Sequence, residues 1–378
     1  KLSPSDLANH LACPHLTQLE LRVQRGEMPR PHVDDPYGQI LRAKGNEHED
    51  AYLARLEADG LRVEKMRTYD DGDFDPEHAQ RATEDAILAG EADVIYQAYL
   101  TDGTWRGFAD FLVKVPVDGG PGMPGSYGPK PIYEPVDTKL ARSAKPLHVI
   151  QLCFYAEQLE RIQGRLPEHV HVELGTGERE TLRTADFIAF FRRSRERLLA
   201  AIDGGNGRAP TYPWPVDHCG ICDFRHVCRQ QWEDDDHLVL VAGLGRLYAE
   251  RLTADGITTL TQLGEIAPET TVERVRPEVF ERLRHQASLQ LHFNRTGERL
   301  FDLLPDEEDR GFRLLPPPSW GDVWLDLEGH PFYEPARGLE YLFGYCYRED
   351  GQVQYDAVWG LDRDGEKAAF ERFVDWVE

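Results

Sequence analysis

Asp137-Thr138-Lys139 closes the short apolar run "PIYEPVDTK", which reads as a buried strand. Side chains at i and i+2 of a strand share a face, so the carboxylate and the ammonium project together. An ion pair is one use of that placement. A reaction centre is another, with the carboxylate on a cation and the ammonium beside it. Further candidates lie upstream. In "KGNEHEDAYLARL", His48, Tyr52 and Leu56 recur at i, i+4 and i+8, so His48 is expected on the inward face of a helix. In "TWRGFADFLVKV", Asp110 shares a strand face with Phe108 and Leu112. A carboxylate buried without a partner is costly. Two such carboxylates and an imidazole, each from its own element, can share a divalent cation. Downstream, Gln151 and Tyr155 stand at i and i+4 on one helix face, within reach of the same place or of a substrate. Taken singly, each has an ordinary explanation: a core histidine, a partner for an arginine, an ion pair. The combination is what points to chemistry.

The cysteines form a second constellation. Cys219-x2-Cys222-x5-Cys228 lies in "HCGICDFRHVC", and Cys13 lies far upstream in "HLACPHL". No secretion signal is evident at the start of the chain. The clustering therefore favours a metal or cluster site in a reducing, cytoplasmic setting over disulfides. The local spacing by itself fits zinc, with His218 or His226 competing as ligands. Cys153 and Cys346 read as packing residues.

Secondary elements must deliver these groups. A capped helix is expected over 3–25, starting at Ser3 or Ser5, and a second over 40–59. Strands fall within 85–115. The Gly- and Pro-rich stretch 116–130 reads as a loop, and a strand follows over 132–140. Helical periodicity covers 146–163, "EHVHVELGTG" is a strand and turn, and 185–202 is an Arg-rich amphipathic helix. This order is α/β. Residues 236–304 read as helical, 305–320 as a linker, and 321–378 as the opening of a new strand-rich domain.

Composition limits the partners. The formal charge is −24, unusual for a protein that holds nucleic acid on a basic surface. Candidate basic contacts are Arg142 and Lys145 after the Asp-x-Lys strand, and Arg192, Arg193, Arg195 and Arg197 on the Arg-rich helix. Lys is scarce, eight of 43 basic residues, so a Lys at 139 suggests a need for a compact point charge. No apolar run approaches a membrane span.

Gly45-x-x-His48, Asp110, Asp137-x-Lys139 and Gln151-x-x-x-Tyr155, in that order and spacing, resemble the RecB-like branch of the PD-(D/E)xK nucleases over about residues 1–235. The resemblance implies an α/β, restriction-endonuclease-like core. It implies that His48, Asp110, Asp137 and the Thr138 carbonyl bind Mg²⁺ or Mn²⁺. Lys139 would orient or help activate the attacking water, and Gln151 and Tyr155 would lie beside the substrate. One Cys before these motifs and three after is similar to AddB-type nucleases and the CRISPR-associated exonucleases. That implies a [4Fe–4S] cluster on Cys13, Cys219, Cys222 and Cys228, stapling the first helix to the domain's end.

Two later segments carry their own resemblances. "VAGLGRLYAERLTADGITTLTQLGEI" resembles a helix-hairpin-helix element, in which Gly243 and Gly245 would turn backbone N–H groups toward a DNA phosphate. A helical spacer that only packs is the other reading. Asp326-x-Glu328 is similar to the opening of an RNase H-like (DEDD) exonuclease domain. As a second acidic site it is expected to be incomplete, because the acids considered to complete it, Asp362, Asp364 and Asp375, read as lying in a turn and a surface helix. The expected function is a metal-dependent DNA nuclease, an exonuclease on single-stranded or unwound DNA in repair, recombination or defence. A helicase domain or subunit is an expected partner in this family, although no Walker A pattern occurs here. The alternatives are a non-catalytic nucleic-acid-binding scaffold and a zinc-stabilised interaction protein.

Overall fold

The computed structural model describes residues 1–66, 74–116, 132–203, 211–303, 305, 307–334 and 337–378. The loop expected over 116–130 falls outside them except for Pro116. The chain is mixed α/β and parts into two compact units. One comprises Lys1–Ala8, Asp35–Leu198 and Pro317–Glu378; the other comprises Asn9–Asp34 and Leu199–Pro316.

The first unit holds a six-stranded sheet in sequential order: β1 (Val63–Lys65), β2 (Val94–Thr101), β3 (Arg106–Val115), β4 (Ile132–Lys139), β5 (His169–Leu174) and β6 (Arg179–Arg183). β1 and β2 are parallel, as are β4 and β5; the remaining pairs are antiparallel. Between the parallel strands β4 and β5 runs a helix, Pro146–Gln163, whose bounds match the expected 146–163. Pro146 starts it where a missing N–H costs nothing, and Gly164 ends it in the left-handed conformation (φ 76°) that glycine adopts freely. The helix expected over 40–59 is longer, Pro36–Ala58, because Asp35 caps it by accepting from the Gly38 N–H. It buries Tyr52, Leu53 and Leu56 against Val94, Tyr96, Phe111 and Val136. Strand alternation then turns Asp110 and Asp137, the neighbours of Phe111 and Val136, to the other face. The Pro146–Gln163 helix packs against β4 and β5 there.

The single helix expected over 3–25 is two, Pro4–Ala12 and Pro14–Gln24. Pro14 disfavours helical backbone at the residue before it, and Cys13 is extended (φ −153°, ψ 102°). The second unit is otherwise helical, with a core built from Leu238, Leu252, Leu260, Leu263, Phe280 and Leu283 among others. In the first unit, β7 (Trp324–Glu334), β8 (Arg337–Glu349) and β9 (Gln352–Trp359) form a separate antiparallel sheet. The β8–β9 hairpin turns on Asp350 (φ 50°) and Gly351 (φ 77°), the left-handed pair that a tight hairpin requires. The closing helix, Arg363–Val377, sets Phe373 and Trp376 against Tyr345. Among the described residues no helix is long and apolar enough to cross a membrane.

Candidate functional site

The end of β4 gathers most of the expected residues. Asp137 is fully buried, and the Lys139 Nζ lies 2.6 Å from its Oδ2, so the two project together as strand geometry requires. Gln151 Nε2 donates to Asp137 Oδ1 at 3.2 Å and faces the Tyr155 hydroxyl oxygen at 3.3 Å. The Tyr155 hydroxyl in turn donates to the Phe108 carbonyl at 2.6 Å, tying the helix to β3. Gly107 makes room for this: a Cβ there would stand 3.0 Å from the Tyr155 ring and 3.1 Å from Phe154. Gly175, after β5, permits a similar approach, since a Cβ would lie 2.6 Å from the Leu140 carbonyl oxygen just past Lys139.

Asp110 reaches the same strand end by another route. The β3–β4 ladder stops at Phe111 and Val136. Beyond it, the Thr138 N–H and hydroxyl both donate to Asp110 Oδ2, at 3.0 and 3.2 Å. Thr138, expected to contribute its carbonyl, thus also braces Asp110. His48 is half-buried on the expected helix face, with its Nε2 3.3 Å from the Glu173 carbonyl on β5.

The sequence reading missed several groups around these. Glu49, next to His48, accepts at Oε1 from the Tyr96 hydroxyl (2.9 Å) and from Gln97 Nε2 (2.5 Å). Its signal was present: Glu49, Leu53 and Leu56 stand at i, i+4 and i+7 on the buried stripe of their helix. Gln97 was legible too, as an amide inside the apolar strand "VIYQAYLT", where an uncompensated polar group is expensive. Glu173, buried, pairs with Arg55 and, at 3.2 Å, with Arg179, which also donates to the Tyr52 hydroxyl. His148 lies three residues before Gln151, and its Nδ1 accepts from the Lys145 N–H at 3.2 Å, closing the first turn of the helix.

Burial and the neighbouring Asp110 push the Asp137 carboxyl well above the usual carboxylate range, with the Lys139 ammonium opposing them. Burial and Asp110 likewise raise Glu49, although its two hydrogen bonds act the other way. Burial disfavours the Lys139 ammonium, but Asp137, Asp110 and Glu49 outweigh it and raise its pKa. His148 goes down to about 4, through burial and the charges of Lys139 and Lys145. It is a neutral imidazole near neutral pH, and with Nδ1 accepting it carries its proton on Nε2.

Among the described residues, the charges of Glu49, Asp110 and Asp137 all bear on the one ammonium of Lys139, while Arg55 and Arg179 are paired with Glu173. That imbalance is what a hard divalent cation would relieve, and oxygen donors with one imidazole suit Mg²⁺ or Mn²⁺. The donor chemistry fits.

The cysteines lie together in the second unit. Cys13 sits at the break between the first two helices, Cys219 in the short 3₁₀ turn Asp217–Gly220, Cys222 just beyond it, and Cys228 on the helix Arg225–Asp234. All are free thiols. Cys13, Cys222 and Cys228 pack on Leu16, Leu19 and Phe224. Burial, then the charges of Cys222, Cys13 and Cys219, push the Cys228 thiol up to about 12. Four cysteine sulfurs gathered in a partly apolar setting are a donor set that suits a soft, positively charged centre. Among the described residues, no three His, Cys, Asp or Glu side chains are already closed around a metal-sized point, at either place.

Asp326 and Glu328 share a face of β7, opposite Gly344 and Leu342 of β8, and both are exposed. Gly243 has the left-handed backbone (φ 77°) of a turn, and Gly245 caps the helix Arg246–Ala254. Arg142 and Lys145 are exposed near the end of β4. The expected row of arginines is partly spent within the protein: Arg192 pairs with Glu157 and Glu160, each at 2.8 Å, and Arg195 pairs with Glu157. Arg193 and Arg197 remain exposed on that helix. Compared with known proteins, the chain matches no family model and no curated sequence.

Proposed function

We propose that the chain is a metal-dependent nuclease with a PD-(D/E)xK-type core, hydrolysing phosphodiester bonds in single-stranded or frayed DNA. The observation that carries the reading is the charge imbalance at the end of β4. Glu49, Asp110 and Asp137 converge from three elements on one lysine, beside a helix face bearing His148, Gln151 and Tyr155. His48, Asp110, Asp137 and the Thr138 carbonyl would hold Mg²⁺ or Mn²⁺. A divalent cation there would neutralise charge on the phosphate and acidify the attacking water. Lys139, held on Asp137, would orient that water and balance the charge that develops. Gln151 holds Asp137 through one oxygen and is itself set by Tyr155, so the carboxylate keeps one orientation. His148 presents a neutral N–H to the substrate strand. The thiols of Cys13, Cys219, Cys222 and Cys228 would hold a [4Fe–4S] cluster as a structural staple in the second unit.

The test is cleavage of labelled single-stranded DNA with Mn²⁺ or Mg²⁺. Asp137→Ala and Lys139→Ala should each abolish cleavage while the circular dichroism spectrum is unchanged. Equal cleavage by the parent and both variants would overturn the assignment.

A further inference from the structure

One buried acid of the first unit carries two cations. The Glu173 side chain is 2% exposed, and it holds Arg55 through Oε1 and Arg179, its partner across β5 and β6, through Oε2. The two guanidiniums also share a ring. Their central carbons stand 5.0 and 5.6 Å from the centre of Tyr52, whose hydroxyl accepts from Arg179. At that range a cation is attracted by the face of an aromatic ring. Both arginine side chains are thus fixed, yet they stay 50% and 36% exposed.

One guanidinium would neutralise Glu173. The second leaves a positive charge over, in a chain whose formal charge is −24. Elsewhere the ratio is reversed: Arg192 faces both Glu157 and Glu160, and Arg363 faces both Glu334 and Glu366. The acids at the end of β4 do not take up the excess. The charges that act most on Asp137 and Glu49 are those of Asp110, Lys139 and Asp50, and neither arginine is among them. Donors are also left over. A guanidinium offers five N–H groups in a rigid fork, and among the described residues only Nη2 of Arg55 and Nε and Nη2 of Arg179 are engaged. Two ordered forks with charge and donors remaining suit the oxygens of a phosphate.

Their position relates them to the site. Arg55 follows His48 by seven residues, about 10 Å along the same helix. Glu173 pairs with Thr138 across β4 and β5, one residue before Lys139. The arginines therefore flank the end of β4 on the face covered by the helix Pro36–Ala58, whereas Gln151 and Tyr155 flank it on the other.

We propose that Arg55 and Arg179 together bind one backbone phosphate of a single DNA strand lying across the end of β4. Tyr52 and Glu173 are their positioning residues. The proposal rests on the nuclease reading for the identity of the strand, and it is tested by binding without cleavage.

Fluorescence anisotropy of a labelled oligothymidine, titrated with the full chain in EDTA over a series of KCl concentrations, gives the affinity and its salt dependence. For a single strand each neutralised phosphate contributes about 0.7 to the slope of log affinity against log salt. Arg55→Gln leaves Arg179 on Glu173, and its slope should be shallower than the parent's by about 0.7, with affinity at the lowest salt reduced about tenfold. Arg55→Lys should keep the slope and lose about threefold in affinity, because the fork is gone. Where the chain cleaves, Arg55→Gln should raise KM for the strand and leave kcat nearly unchanged, as expected for a contact made equally before and during reaction. A parent slope retained in Arg55→Gln, with only its thermal midpoint lowered, would reduce the pair to a structural role and overturn the proposal. Inorganic phosphate that raises the thermal midpoint of the parent but not of Arg55→Gln, with the DNA slope unchanged, would reveal a free-anion site and overturn it too. Should Arg55→Gln fail to fold, an affinity in Arg55→Lys within twofold of the parent overturns it instead. A parent that binds the strand with the expected slopes but cleaves nothing in Mn²⁺ would bring down the nuclease reading and leave the phosphate site standing.

Discussion

His148 gives the chain a pH dependence whose sign and size follow from its surroundings. In the unfolded chain its imidazole titrates near 6.5, whereas in the folded protein burial and the charges of Lys139 and Lys145 bring it down to about 4. Between those values the unfolded state binds a proton that the folded state refuses. Stability therefore falls as pH drops from about 6.5 to 4, and the loss is complete below both. The full difference corresponds to roughly 3 kcal/mol, which half-burial and solvent screening reduce to about 1–3 kcal/mol. The variant to make is His148→Gln. Position 148 is the third residue of its helix, and His148 accepts from the Lys145 N–H. Glutamine is a standard residue for that reciprocal cap, so the cap survives and the titration disappears. Urea unfolding in EDTA at pH 4.5, 5.5, 6.5 and 7.5 would measure the effect, because the other acid-labile groups cancel in the difference between the two proteins. The parent should lose about 1–3 kcal/mol more than the variant on acidification, and the two should run parallel above pH 7. Equal losses, or a greater loss in the variant, would refute the reasoning.

Replacing Lys139 by Met leaves the fully buried Asp137 without its ammonium. Breaking a buried pair in this way should cost about 3–5 kcal/mol near pH 8, read by denaturant unfolding in EDTA, with part of the loss restored by Mn²⁺. Gly107→Val should press on Phe154 and the Tyr155 ring, where a Cβ alone already comes within 3.1 Å; overpacking of this kind costs about 1–3 kcal/mol, and cleavage should fall more than a stability loss of that size explains, because Tyr155 sets Gln151. Substituting any one of Cys13, Cys219, Cys222 and Cys228 by Ser should lower the iron and sulfide content of anaerobically prepared protein together with its thermal midpoint. Protein carrying one zinc and no iron would defeat the cluster assignment. Asp326→Asn combined with Glu328→Gln, both on an exposed strand face, should leave cleavage and thermal midpoint unchanged; a loss like that of Asp137→Ala would place the chemistry in the other sheet.

Local rules were enough to read the elements that present the site. The period-2 run ending in Asp137-Thr138-Lys139 specified a strand with both charges on one face. Helical periodicity over 146–163 gave the helix carrying Gln151 and Tyr155. The i, i+4, i+8 spacing put His48 with Tyr52 and Leu56. These features depend on neighbours a few residues away, which the sequence lists in order. What the sequence could not state is which polar groups meet across elements. The break at Cys13 was written in Pro14, but that Asn9–Asp34 packs with Leu199–Pro316 was not. Arg192 and Arg195 looked like a free basic face until Glu157 and Glu160 were brought against them. Glu49 looked like one more acid on a charged helix. Only the folded chain brings Gln97, at an unfavourable backbone angle, and Tyr96 onto it beside Asp110. Side-chain pairing of that kind is settled by packing between elements distant in sequence, where a shift of a few ångströms decides whether a buried charge is paired, hydrogen-bonded or left to recruit a cation.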